Sequence, residues 1–533
     1  MRKPVSDLRT SIVPLEVTKV TNLTGLREQA AQKWGIQRIQ PFFPPMEELF
    51  KVESLRSPYY FGIKPSKPIQ TIVGDTVYIG GVEQPIHRKT TMILPSYRVM
   101  RGDFGTSGLP CNKENAAEEH HRLHSPYTAA YVGALANVLL SESGCMHFPE
   151  VYGTFTGIAD RHTIDISDDY EDICERPWFI QNLGHFFELK LRGSVGGQSP
   201  LCMGDAIELD AEELEPILCA EPPLLHGSIS DESGTTESED SDDSESVSTK
   251  YIFDIRTASS DSLDHEDGEG FDDDDCLPFA EAVFKDVSVQ TTVMQKCTDT
   301  FYNLLKADTD STHRTAWIFQ IMFALTFAQR TYSFVHNDLH VNNVMYVDTP
   351  LEYLYYNVGG KQYRIPTYGK LLKIIDFDRA SFSVRLPGMR EPRFFLSNQF
   401  DTTEEAGGQY NVKPFFTSSF VEIKPNASFD LVRLATSMFW DCFPNGPLHE
   451  EYKADSLFTL LMNWMTLPDG SSILFRNLSK NDVHDRYRGF HLYKAIARYC
   501  KGTAVPRQQV DKLAGEYVWA GKIPSGETCL CVE

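Results

Sequence analysis

The stretch His336-Asn-Asp-Leu-His-Val-Asn-Asn343, followed 33 residues after Asn343 by Asp376-Phe-Asp378, decides how the rest of the chain is read. Upstream of it, Ile318, Ile321, Met322 and Leu325 recur at helical spacing, so Thr315–Thr331 is predicted to be a helix that delivers the first motif at its end. The second motif directly follows Leu371-Leu-Lys-Ile-Ile375, a short apolar run that reads as a buried strand. One loop and one strand end are enough to bring Asp338, Asn343 and Asp376 together. A lone His-x-Asp carries little information, whereas two linked motifs, each with a fitting flank, are a strong signal.

The chemistry that needs these residue types at this spacing is phosphoryl transfer. It asks little covalent work of a protein, but it needs an aimed nucleophile, neutralised phosphate charge and Mg²⁺. Asp338 is placed to accept the proton of an acceptor hydroxyl and aim its oxygen. Asn343 offers a neutral oxygen to a metal, and Asp376 a charged one that can bridge metal and phosphates. Mg²⁺, a hard cation, takes such oxygen ligands. His336 reads as a structural brace of the loop.

The pattern H-x-D-x-x-x-x-N followed by D-F-x resembles the protein-kinase-like superfamily. More narrowly, HNDLHVNN and IIDFDRA are similar to serine/threonine protein kinases of large DNA viruses, of the iridovirus type. The match is strongest over residues 290–440. The resemblance implies an α+β, two-lobed kinase-like fold and the cofactors ATP and Mg²⁺. It implies transfer to Ser/Thr hydroxyls of a protein substrate and an intracellular, cytoplasmic setting (host cytoplasm or virion for a viral protein). It also makes Asp430, in Ser-Phe-Asp-Leu-Val-Arg, a brace for the catalytic loop. Gln295-Lys-Cys297 becomes the hinge that meets adenine, with Gln295 and Cys297 as cofactor-binding positions. Lys89, in His87-Arg-Lys-Thr-Thr-Met-Ile-Leu94, becomes the phosphate-binding lysine. Its partner acid is open: Glu118 and Glu119 precede the helix predicted over Thr128–Leu140, and Glu142 lies at its end.

The sequence also departs from the family pattern. Asn337 replaces the Arg that would anchor a phosphorylated activation loop. His340 stands where a Lys is expected beside the transferring phosphate; it cannot replace the reach or fixed charge of Lys, and if its imidazolium helps, activity falls as pH rises through the His titration. Asp378 replaces the Gly of D-F-G, no A-P-E follows, and no G-x-G-x-x-G is present. Gly80-Gly81, Gly102–Gly105 and Gly193–Gly197 are weak substitutes. His340 and Asp378 also suit small-molecule phosphotransferases of the aminoglycoside and choline kinase type, which is the second reading. A pseudokinase scaffold is the third. His120 or His121 with His124 could share a helix face as metal ligands do, although a polar helix start accounts for them more simply.

Working outward, Thr76–Ile79, Gly80-Gly81 and Ile86–Leu94 read as a hairpin, and His147–Phe155 as the start of a strand. Val287–Met294 reads as a strand and Phe429–Trp440 as a helix. Strands come first and helices follow, an α+β order. We expect an N-terminal extension (1–50), a small nucleotide-binding lobe (51–296) and a large, mainly helical catalytic lobe (297–533). Residues 227–275 carry 18 acidic against two basic residues, a net charge of −16 out of −24 for the chain. Such a segment buries too little apolar surface to offset its chain entropy, so it is expected to be a disordered insert in the small lobe, able to engage a basic protein. The acidic balance argues against nucleic acid or an anionic membrane as partner. The apolar run Trp317–Ala328 is about 18 Å long as a helix, too short for a bilayer. The N-terminus shows no signal-peptide pattern, and residues 2 and 530 exclude lipidation motifs. The 11 cysteines form no C-x-x-C, so a reducing compartment is expected. Oligomeric state is not legible.

Overall fold

Ala280–Gln295 is rich in β-branched residues (Val287, Val289, Thr291, Thr292, Val293) and is buried along most of its length, as suits a strand with neighbours on both sides. In the computed structural model it is the central strand of the largest sheet. Residues 15–52, 60–104, 108–110, 123–192, 206–209, 279–404, 406–487, 489–524 and 529–532 are described. The acidic segment 227–275, Glu118, Glu119, His120, His121 and Gly193–Gly197 lie outside them.

The eight-stranded sheet runs in the order Ile36–Gln40, Val151–Asp165, Ala280–Gln295, Val82–Met92, Thr76–Ile79, Thr71–Val73, with Glu188–Arg192 and Ala206–Leu209 branching from the central strand. Every pairing is antiparallel. The expected hairpin is present. Gly80 and Gly81 turn it with φ of 60° and 82°, the left-handed pair that a two-residue turn requires and that costs glycine least. The helix Ala129–Glu142 lies against this sheet and is buried from Ala130 to Leu140. One boundary needs correction. Ile36–Gln40, assigned from sequence to an N-terminal extension, is a strand of the main sheet, because Ile36 and Ile39 are needed to cover the core.

Downstream, the helix Ser311–Tyr332 starts at Asp310, whose side chain accepts from Thr312 N, and ends at Ser333 with φ 51°. Gln320, fully buried within it, accepts from Leu372 N at 3.0 Å and donates to Lys370 O at 3.0 Å. That pair of bonds pins the strand Lys370–Ile374 to the helix. The strand pairs antiparallel with Val344–Asp348, Val344 opposite Ile374. The C-terminal half holds more strand than expected. Tyr353–Val358 and Lys361–Pro366 form a hairpin that Cys529–Val532 extends in parallel, and two further two-stranded ribbons follow. Phe429–Cys442 is helical, and Phe490–Tyr499 forms a later helix. One hydrophobic cluster runs through both halves. The α+β class holds. The seven described cysteines are free, and among the described residues no helix is long and apolar enough to cross a membrane.

Candidate active site

Both motifs sit at the ends of paired elements. Val344 and Ile374 face each other in the ladder, so Asn343 and Ile375 are adjacent, and Ile375 N donates to Asn343 O at 3.0 Å. His336 completes the joint. Its Nε2 meets Ile375 O at 2.7 Å, and its ring packs on Phe377, which also touches Phe148 and Phe334. The bracing role expected of His336 is thus seen in its contacts.

Asp430 sits at the first turn of the Phe429–Cys442 helix, fully buried, with one carboxylate oxygen on His336 N (2.9 Å) and the other on Asn337 N (3.0 Å). It spans the loop as the resemblance implied. Burial pushes its carboxyl up to about 6 against the two backbone N–H bonds that favour its charge. Asn337 holds a left-handed backbone (φ 67°), which asparagine tolerates better than most residues. Its amide donates to Arg379 O and Ser381 Oγ, and its oxygen accepts from Tyr410 at 2.7 Å. The residue that replaced the expected Arg therefore ties the first motif to the chain just past the second.

Asp338 is largely buried. Tyr493, from the Phe490–Tyr499 helix, donates to its Oδ1 at 2.7 Å, and Arg379 approaches Oδ2 at 3.3 Å. Burial alone would raise this carboxyl, but the Arg379 charge foremost, then His340, Arg433 and the Tyr493 hydroxyl, hold it below the usual carboxylate range. Arg379 follows the second motif directly and was missed. Tyr493 lies 155 residues downstream and left no local signal.

His340 Nε2 lies 3.0 Å from Asn343 Nδ2, which also donates to Asp338 O at 2.9 Å. A backbone carbonyl only accepts, so the amide nitrogen faces Asp338 O, and His340 Nε2 is left to act as an acceptor. Burial pulls His340 down to about 4, so the ring is neutral near pH 7. Burial thus works against the imidazolium that the sequence left open at this position. His340 Nε2 and Asp338 O together hold the Asn343 amide nitrogen in place.

Lys89 reaches this cluster from the strand Val82–Met92. Its Nζ lies 2.7 Å from Asp376 Oδ1 and 2.9 Å from Asp378 Oδ2. Burial would lower the ammonium, but the two carboxylates outweigh it and raise it. Asp376 is pulled down by Lys89 against the effect of burial. Asp378 is raised, by burial first and by the neighbouring Asp376 charge. One lysine against two carboxylates leaves one negative charge over. Glu142 is engaged elsewhere, accepting from Ser66 N at 2.9 Å.

Gln295 is the last residue of the central strand, and Cys297 lies in the connection that leads from it to the C-terminal half. Gln295 N donates to Glu150 O at 2.8 Å, Gln295 Oε1 is buried with no partner, and Cys297 is buried. They are not brought into contact with the carboxylate cluster. Among the described residues no three His, Cys, Asp or Glu side chains gather to cage a metal. Asp376 and the Asn343 oxygen are of the donor types that suit Mg²⁺, which binds through one or two carboxylates and fills its shell with water and phosphate oxygens. No protein-family model matches the chain, and no curated protein matches its sequence.

Proposed function

We propose that this chain is an ATP- and Mg²⁺-dependent phosphotransferase with a kinase-like, two-lobed fold, acting on Ser/Thr hydroxyls of proteins. The observation that carries the reading is the meeting of Lys89 with Asp376 across 287 residues, beside a loop that holds Asp338 and Asn343. Phosphoryl transfer needs those groups, an ammonium for phosphate, a carboxylate and an amide oxygen for Mg²⁺, and a carboxylate for the acceptor hydroxyl. Bound Mg²⁺ would supply charge neutralisation on the phosphates. Asp376 and Asn343 would hold it. Lys89 would hold phosphate oxygens, and the Gln295–Cys297 backbone would line the adenine side.

Asp338, ionised and gripped by Tyr493 and Arg379, works mainly by orienting the acceptor hydroxyl and takes its proton late, since a depressed carboxylate is a weak base. Transfer to a small-molecule hydroxyl is the second reading. It is favoured by the buried, neutral His340 where a protein kinase would carry a lysine. Labelled ATP with Mg²⁺, offered with a mixed protein substrate and with a panel of amino-sugars and amino-alcohols, separates the two. Label on protein Ser/Thr is expected. Label on a small molecule moves the assignment to the second reading, and label on neither, with folded protein, refutes phosphoryl transfer.

A further inference from the structure

The helix Ala129–Glu142 carries a single acid, Glu142, at its last position, and that acid is bonded to Ser66. Where it passes Lys89 and its partners it presents Gly133. A Cβ placed on Gly133 would collide with Asp378 Oδ1 and would lie 3.1 Å from Asp378 Cγ and 3.3 Å from Asp378 Cα. The missing side chain on the helix and the extra side chain on the second motif thus occupy one space. Asp378 fills it with a carboxylate 2.9 Å from Lys89 Nζ, and Thr91 Oγ1 approaches the same oxygen at 3.5 Å. Asp378 is less exposed than Asp376, 18% against 44% for the side chains.

Resting on the phosphoryl-transfer reading, we infer that Asp378 is the positioning residue for Lys89, the fixed counter-ion that a helix acid would otherwise provide, and that Gly133 is the vacancy that admits it. The two carboxylates then divide the work. Asp376, the more exposed, is free to leave Lys89 for a cation. Asp378 stays and keeps the ammonium aimed at the phosphates, so the lysine is not left unpaired when Asp376 turns away. Aspartate in place of the glycine in the second motif and glycine in the helix are one arrangement.

Moving the carboxylate tests this. Asp378→Gly is expected to lower kcat/KM for ATP by about 10²-fold, the scale of a misplaced binding group. Gly133→Asp alone collides with Asp378 and is expected to lower the melting temperature. Asp378→Gly combined with Gly133→Asp returns a carboxylate to the same space from the helix side, and kcat/KM is expected to recover to within about tenfold of the wild type with the Mg²⁺ requirement unchanged. A double variant that melts like the wild type yet stays as impaired as Asp378→Gly overturns the inference. So does a raised Mg²⁺ requirement in Asp378→Gly that the double variant does not repair, since Asp378 would then be a metal ligand.

A cycle of Lys89→Met and Asp378→Asn on urea unfolding without nucleotide gives an independent readout. Coupling is expected, and additivity refutes the pairing. Coupling in a protein that neither binds ATP nor transfers phosphate refutes the phosphoryl-transfer reading and with it any nucleotide role for the pair. An active protein with additive variants refutes this inference alone.

Discussion

Asp338 and His147 show how burial and partners decide what one side chain can do. Asp338 is held in its ionised form by Arg379 and Tyr493, so Asp338→Asn keeps the shape and removes the charge. The proposed phosphoryl transfer is expected to fall about 10²–10⁴-fold in steady-state assays, with the melting temperature kept within a few degrees. His147 is buried with Nδ1 on Leu372 O (2.9 Å) and Nε2 on the Tyr356 hydroxyl (2.8 Å), and burial pulls it down to about 4 from 6.5. The unfolded chain therefore takes a proton between pH 6.5 and about 4 that the folded chain refuses. Stability present above pH 6.5 is lost as the pH falls towards 4, by on the order of 3 kcal/mol for this residue. Asp430, raised to about 6, works in the opposite sense, because below pH 6 the folded state holds a proton that the unfolded state releases down to about 3.8. The difference in unfolding free energy between the wild type and His147→Gln isolates the histidine. It is expected to be flat above pH 6.5 and to shrink between 6.5 and 4. A difference that does not change with pH refutes the assignment. At this scale the sequence singled out Asp338, Asn343, Asp376 and Lys89 as candidates because a motif or a strand flanked each one, and the structure pairs Lys89 with Asp376 beside the loop of the other two. It did not reveal Tyr493, or that Asp378 reaches Lys89, because contacts between residues 338 and 493 and between residues 89 and 378 leave no local pattern.

Elements were legible where burial imposes a period, and obscure where it does not. The helix over Ser311–Tyr332 begins four residues before the expected Thr315 and ends one after Thr331, buried without a break from Arg314 to Thr326, and the strand Lys370–Ile374 is the expected run shifted by one residue. The helix Leu23–Trp34 buries only Leu23, Leu26 and Ala30 among Thr, Gln, Arg and Lys, and the strand after it reads Ile-Gln-Arg-Ile-Gln, so neither stood out. The later ribbons around Tyr353–Pro366 were missed because their tyrosines suit a loop-rich tail as well as a strand. Helix starts are testable one by one. Asp455 precedes Ser456–Trp464 and accepts from Leu457 N (2.7 Å), Phe458 N (3.2 Å) and Ser311 Oγ (2.5 Å). Asp455→Ala leaves those donors without their acceptor, and urea denaturation is expected to show a loss of about 1–2 kcal/mol with the m-value unchanged.

At the scale of the whole molecule, residues 227–275, with 18 acidic against two basic residues, offer little apolar surface to a core. Replacing residues 227–275 by a short Gly/Ser linker is therefore expected to leave the melting temperature within about 2 °C, since loop-closure cost changes slowly with length. A large drop, measured calorimetrically, would show that the acidic segment contributes to the folded core. The sheet's order in space against its order in sequence has a consequence for synthesis. The strand at the middle of the sheet, Ala280–Gln295, is the last of its strands to leave the ribosome, and until it arrives Val82–Met92 and Val151–Asp165 have no common neighbour. A nascent chain of about 280 residues then carries two long, open strand edges, which are templates for pairing with another chain. Emergence of residues 280–295 closes both at once, so their arrival divides a vulnerable half-made sheet from a finished one.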